Sequence, residues 1–139
     1  MARAAWAAVR TTAVAVVLTG TAGACGTVAE RHDAVRAAAT AFEKALDEGA
    51  YDRMCGALAP ATLEELEQSA GRPCAQALAE ESPPAGGAVR GTDVHGNQAR
   101  AVLAGDTLFL SRFTTGWKVV AAGCRQRPQR PYQCRIKGG

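Results

Sequence analysis

Six residues in the middle of the chain, Ser82-Pro-Pro-Ala-Gly-Gly87, can extend neither a helix nor a strand, and the hydrophobic period changes across them. The paired prolines lack the N–H that either ladder needs, and the glycines free the backbone to turn. Before this break apolar residues return every three or four positions; after it they return every two. A chain divided in this way builds helices first and strands second, and the two halves must bury their apolar faces on each other.

In the helical half, Val28, Val35, Ala38, Ala39, Phe42, Ala45 and Leu46 form one stripe, with Arg31, Arg36, Glu43, Lys44 and Asp47 assigned to the opposite face and Gly49 closing the helix. A second, shorter helix is expected over 51–58, stopped by Pro60. Thr62-Leu-Glu-Glu65 reads as a capping box for a third helix to about Ala70, and Pro73 suits the first turn of a fourth through Glu80. Four strands follow, at 89–94, 98–104, 107–113 and 117–124, joined by turns at Gly96-Asn97, Gly105-Asp106 and Thr115-Gly116. Such short links favour an antiparallel meander. In the third strand Leu108 and Leu110 share one face while Phe109 and Phe113 share the other, so both faces are partly buried. The expected fold class is α+β: N-terminal helices (28–81) packed on a curved antiparallel sheet of about four strands (88–136), in a single domain over 28–139.

Charge divides at the same break. From Glu30 to Glu81 there are 11 acidic and 5 basic residues; from Ser82 onward there are 2 acidic and 9 basic. Attraction between the halves explains most of this. A cluster of Arg125, Arg127, Arg130, Arg135 and Lys137 leaves a second reading, a basic patch facing anionic headgroups or cell-wall polymer. The formal net charge is only +3, two of the arginines precede the domain, and no nucleic-acid partner is expected from this balance.

Arg3 and Arg10 are followed by an apolar run, Thr11–Leu18, and then by small residues up to Cys25, the layout of a signal peptide over 1–24. Only 14 residues separate Arg10 from Cys25, fewer than the roughly 20 of a transmembrane helix. Ala22-Gly23-Ala24 fits the general signal peptidase. Ala22-Gly23-Ala24-Cys25 also fits the bacterial lipobox, except that Leu is usual where Ala22 stands. Five cysteines in an exported chain leave one odd, and Cys25 stands apart at the cleavage point, which favours its thioether linkage to diacylglycerol. Two acyl chains, at about 0.8 kcal/mol per buried CH₂, hold a protein stably on a bilayer. The expected location is the outer face of the cell membrane, with residues 25–27 as lipidated N-terminus and tether and membrane lipid as the partner of Cys25; secretion is the alternative.

Cys55, Cys74, Cys124 and Cys134 lie in the exported domain, where disulfides form. Three connectivities are open. Cys55–Cys74 with Cys124–Cys134 is favoured because each pair falls within one half, the first pinning the second helix to the fourth and the second closing a loop that holds Pro128 and Pro131. Without a C-x-x-C, and with only His32 and His95 to complete a mixed set, no metal is expected.

Catalytic chemistry has little to stand on. Asp93 and His95, two apart on one strand, point to the same side and could pair, although their place beside Gly96-Asn97 suits a turn. His32, among Glu30, Arg31 and Asp33, reads as a solvated residue, Asp106 as turn chemistry, and Tyr51 and Tyr132 as packing. There is no nucleophile triad, paired-carboxylate motif or glycine-rich phosphate loop, so no catalytic residue and no cofactor is expected.

The stretches AFEKALDEGAYDRMCGAL, ARAVLAGDTLFLSRFTTGWKVVAAGC and PYQCRIKGG resemble small secreted actinobacterial lipoproteins with an NTF2-like (cystatin-like, SnoaL-like) cone fold, over nearly all of the mature chain. The resemblance implies a conical sheet that enzymes and binding modules share. The expected function is a non-enzymatic, membrane-anchored extracytoplasmic lipoprotein that binds an envelope protein or a small apolar ligand. The alternative is an NTF2-like small-molecule-binding protein or a dehydratase- or isomerase-like enzyme, which requires an acid or base buried in a closed pocket.

Overall fold

Thr27 caps the first helix. Its hydroxyl accepts the Glu30 N–H at 3.2 Å, and Glu30 Oε2 accepts the Thr27 N–H at 2.6 Å, a reciprocal cap on α1 (Val28–Asp47). The structure, a computed structural model, describes residues 26–138; residues 1–24, expected to form a signal peptide, and Cys25 lie outside them. After α1 come α2 (Tyr51–Ala57), α3 (Pro60–Ala70) and α4 (Cys74–Glu81). Gly49, at φ 65°, takes the left-handed conformation that lets the chain leave α1.

Two expectations about α3 are corrected. Pro60 does not merely stop α2; it opens α3, where a missing N–H costs nothing. Thr62 is therefore inside the helix instead of capping it. Its buried hydroxyl donates to the Val120 carbonyl at 3.0 Å, fastening α3 to the sheet.

The sheet has six strands rather than about four: β1 (Val89–His95), β2 (Gln98–Leu103), β3 (Thr107–Phe113), β4 (Gly116–Arg127), β5 (Arg130–Gln133) and β6 (Ile136–Lys137). All pairs between these strands are antiparallel, in the order β1-β2-β3-β4-β5 with β6 also on β4, and the sheet is open. The extra strands come from the tail. β4 runs on past Cys124, and the segment expected to be a loop folds back along it. Pro128 and Gln129 make the turn, Gln129 at φ 55°, and Pro131 is tolerated because β5 is an edge strand that can spare an N–H.

One face of the sheet carries Ala99, Ala101, Leu103, Leu108, Leu110 and Val119. These are buried against Val35, Ala39, Phe42, Met54 and Leu78 of the helices. The alanines let α1 lie close to β2, and Phe42 fills the space between. The Cys55–Cys74 bridge joins α2 to α4, and Cys124–Cys134 ties β4 to the tail. Among the described residues, no helix packs on the other face, which carries Arg100 and Phe109. β4 holds an extra residue between its pairings with Phe109 and Thr107, and Gly123 there sits at φ 63°. Such a bulge raises the local twist and bends the strand. The β4–β5 hairpin thus curls back over the uncovered face.

Candidate functional site

The uncovered face is organised around Arg100. The two-residue turn Gly96-Asn97 sets His95 opposite Gln98 and Asp93 opposite Arg100 on the same face. Arg100 donates to Asp93 Oδ2 from Nε at 2.9 Å and from Nη2 at 2.6 Å, and Nη1 lies 3.3 Å from the Tyr132 hydroxyl. Tyr132, on β5, also meets Phe109 edge to face at a ring distance of 5.0 Å. The carboxylate of Asp93 first, and Tyr132 second, hold the Arg100 guanidinium above its usual pKa. One cation is thus fixed from β1 and from β5 at once. Beside it opens a hollow of about 410 Å³ lined by Asp93, His95, Gln98, Ala99, Arg100 and Phe109.

Asp93 and His95 share this face, as alternation requires, yet Asp93 engages Arg100. Its side chain is 47% exposed, and His95 is exposed. The arrangement can offer hydrogen bonds, a fixed charge and an aromatic surface; its carboxylate already serves the guanidinium. His32 is not simply solvated: it is half-buried, with Nδ1 2.8 Å from Thr92 Oγ1, and holds α1 against β1. Tyr132 does more than pack. Among the described residues no group of three or more His, Cys, Asp or Glu side chains could hold a metal, and no helix is long and apolar enough to cross a membrane.

A second ionisable group sits at the junction of the halves. Glu43 belongs to the buried face of α1, contrary to its assignment to the solvated one, and accepts the Gly86 N–H at 2.6 Å. Burial pushes its carboxyl up to about 7, against the lowering effect of the Gly86 N–H, with the Asp106 carboxylate adding to the rise. Asp106 is more than a turn residue: burial raises its pKa too, Arg125 partly offsets this, and Oδ1 is sealed from solvent without a partner.

Because the folded state keeps the Glu43 proton that the unfolded chain releases near 4.5, the associated stability is complete below that pH. It is lost as pH rises through about 7. Urea unfolding from about pH 5 to about pH 8 is expected to show stability falling by up to about 2 kcal/mol, and Glu43→Gln to flatten that slope because an amide does not titrate, while its oxygen still accepts from Gly86. A slope unchanged in Glu43→Gln would place its origin elsewhere.

The sequence points to Asp93, His95 and the cysteines, leaves Arg100 unmarked and sets Glu43 on the solvated face. Both had a signal. The Gly96-Asn97 hairpin places Asp93 and Arg100 opposite each other, and Glu43 follows Ala39 by four positions on the stripe. No protein-family model, no curated protein and no solved structure matches this chain.

Proposed function

We propose that the chain is an exported lipoprotein, anchored through Cys25 on the outer face of the cell membrane, that binds a ligand or partner in the hollow around Arg100 without transforming it. The observation that carries this reading is the double fixing of Arg100 by Asp93 and Tyr132 beside an open hollow of about 410 Å³. A guanidinium on a solvent-facing strand is ordinarily free to move. Here its ordering is settled before any ligand arrives, which lowers the cost of binding. The occupant pairs an apolar surface for Phe109 with hydrogen-bonding groups for Arg100, Gln98 and His95, so it is more polar than a purely apolar small molecule. An NTF2-like cone is supported by the helices on one side of a curled antiparallel sheet. Lipidation is supported by the pairing of the other four cysteines, which leaves Cys25 for the thioether.

Two measurements test the proposal. A fragment screen followed by NMR is expected to give compact ring-bearing hits that shift Gln98, Arg100, Phe109 and Tyr132. Arg100→Ala should weaken them roughly tenfold while the fold survives, since an exposed ion pair contributes at most about 1 kcal/mol. Hits that cluster elsewhere would remove this face from consideration. Mass spectrometry of the native N-terminus is expected to find diacylglycerol on Cys25; an unmodified cysteine would make this a released protein.

A further inference from the structure

The end of the sheet near the Pro83–Gly87 linker carries a second concavity, unrelated to the Arg100 hollow. It is a recess of about 120 Å³ whose lining includes Gly86, Gly105, Asp106, Gly123, Arg125 and Arg135. Arg125 follows Cys124 and Arg135 follows Cys134, so the disulfide between those cysteines pins the two arginines relative to each other. The stem of Arg135 lies across Gly123: a Cβ there would stand 3.2–3.3 Å from three of its carbons. Gly123 is therefore what admits Arg135 to the recess.

Both arginines are exposed, and among the described residues neither has a carboxylate within ion-pair distance. Asp106 is the one acid in the lining, and the adjacent Gly86 backbone leaves no room beside its Oδ1. Two arginines thus line the recess with one carboxylate. Farther along the same hairpin Arg127 and Arg130 stand directly opposite each other, a like-charge pair that disfavours the hairpin by itself. Such an arrangement is explained when an anion shares the positive field. The recess holds about four water volumes, enough for a tetrahedral oxyanion and too little for a nucleotide.

We infer that Arg125 and Arg135 form a clamp for a single phosphate group, borne by a small molecule, a polymer or a lipid. Guanidinium donors match the oxygens of phosphate in pairs. The site is also at the far end of α1 from the proposed anchor: Glu43, beside the linker, is 16 residues from Thr27, about 24 Å along the helix.

The test titrates inorganic phosphate into the isotopically labelled, naturally processed protein at neutral pH and follows the arginine Nε–H and the Gly86, Gly105 and Gly123 amide signals. Saturable shifts are expected. The Arg125→Gln/Arg135→Gln double variant should weaken binding roughly tenfold or more with an unchanged melting temperature. Gly123→Ala should weaken it too by displacing Arg135. Arg53→Gln, which removes an arginine paired with Glu48 on the helical half, should change nothing. Phosphatidylglycerol vesicles that compete for the same signals would identify a lipid headgroup as the source, and failure to compete would identify a non-lipid phosphate. Shifts that do not saturate, that chloride reproduces, or that survive the double variant would overturn the assignment.

Discussion

Replacing Cys55 and Cys74 together by alanine is expected to lower the stability of the folded chain by about 3 kcal/mol and its melting temperature by roughly 10–20 °C. The bridge spans a sequence separation of 19 residues, and releasing a loop of that size returns entropy to the unfolded chain. What it holds is weak by itself. α2 has seven residues and α4 eight, and neither has a side-chain N-cap. Helices so short do not persist in water without tertiary support. Met54 and Leu78, on these two helices, are both fully buried in the common core, so loosening one helix uncovers side chains that the other needs. Denaturant unfolding of the oxidised protein and the double variant measures the difference. A loss under about 1 kcal/mol would mean that packing alone places α2 against α4, and that the bridge is a safeguard rather than a support.

That dependence also explains which parts of the fold were legible in the sequence. The helical stripe of α1 and the alternation of β2 are local periodicities, and each of these elements reports its own buried face. Thr-x-x-Glu occurs at Thr27, Thr40 and Thr62, and pattern alone does not tell which of them caps a helix. Pro60 rules out Thr62 by starting α3 two residues ahead of it, which turns that hydroxyl inward to Val120. At the candidate site, the Asp93–Arg100 pair was implicit in a two-residue turn. Tyr132 was not, because its approach to Arg100 depends on a bulge at Gly123 and on a hairpin containing two prolines, features that read locally as loop. Glu43 was misread for a related reason: a carboxylate on an apolar stripe makes sense only once the Gly86 N–H is seen to meet it. The residues that close a site from distant parts of the chain are the ones a local pattern conveys least.

Gly86→Ala tests the junction where the two halves meet, and it is expected to destabilise the protein by about 3 kcal/mol. A Cβ at Gly86 would collide with Asp106 Oδ1 and stand 2.5 Å from Leu103 Cδ1, so either the linker or both neighbours must move. Overpacking of this kind costs about 1–3 kcal/mol. Movement of the linker also breaks two bonds at once: the Gly86 N–H to Glu43 at 2.6 Å and the Gly105 N–H to the Gly86 carbonyl at 2.8 Å. A buried carboxyl left without its donor costs a further 1–3 kcal/mol or so. Gly56 supplies the control, since it lies within α2 with nothing within 4 Å of its added Cβ. Gly56→Ala is expected to stabilise by roughly 0.5–1 kcal/mol through helix propensity. Urea unfolding of both variants, with hydrogen exchange at the Gly105 amide, separates the two effects. If Gly86→Ala costs less than about 1 kcal/mol, the linker adjusts freely, and neither the raised pKa of Glu43 nor the fixed recess beside Arg125 can depend on its position. If it costs the expected amount and speeds exchange at Gly105, the linker is the part that holds the acidic helices and the basic sheet in one register.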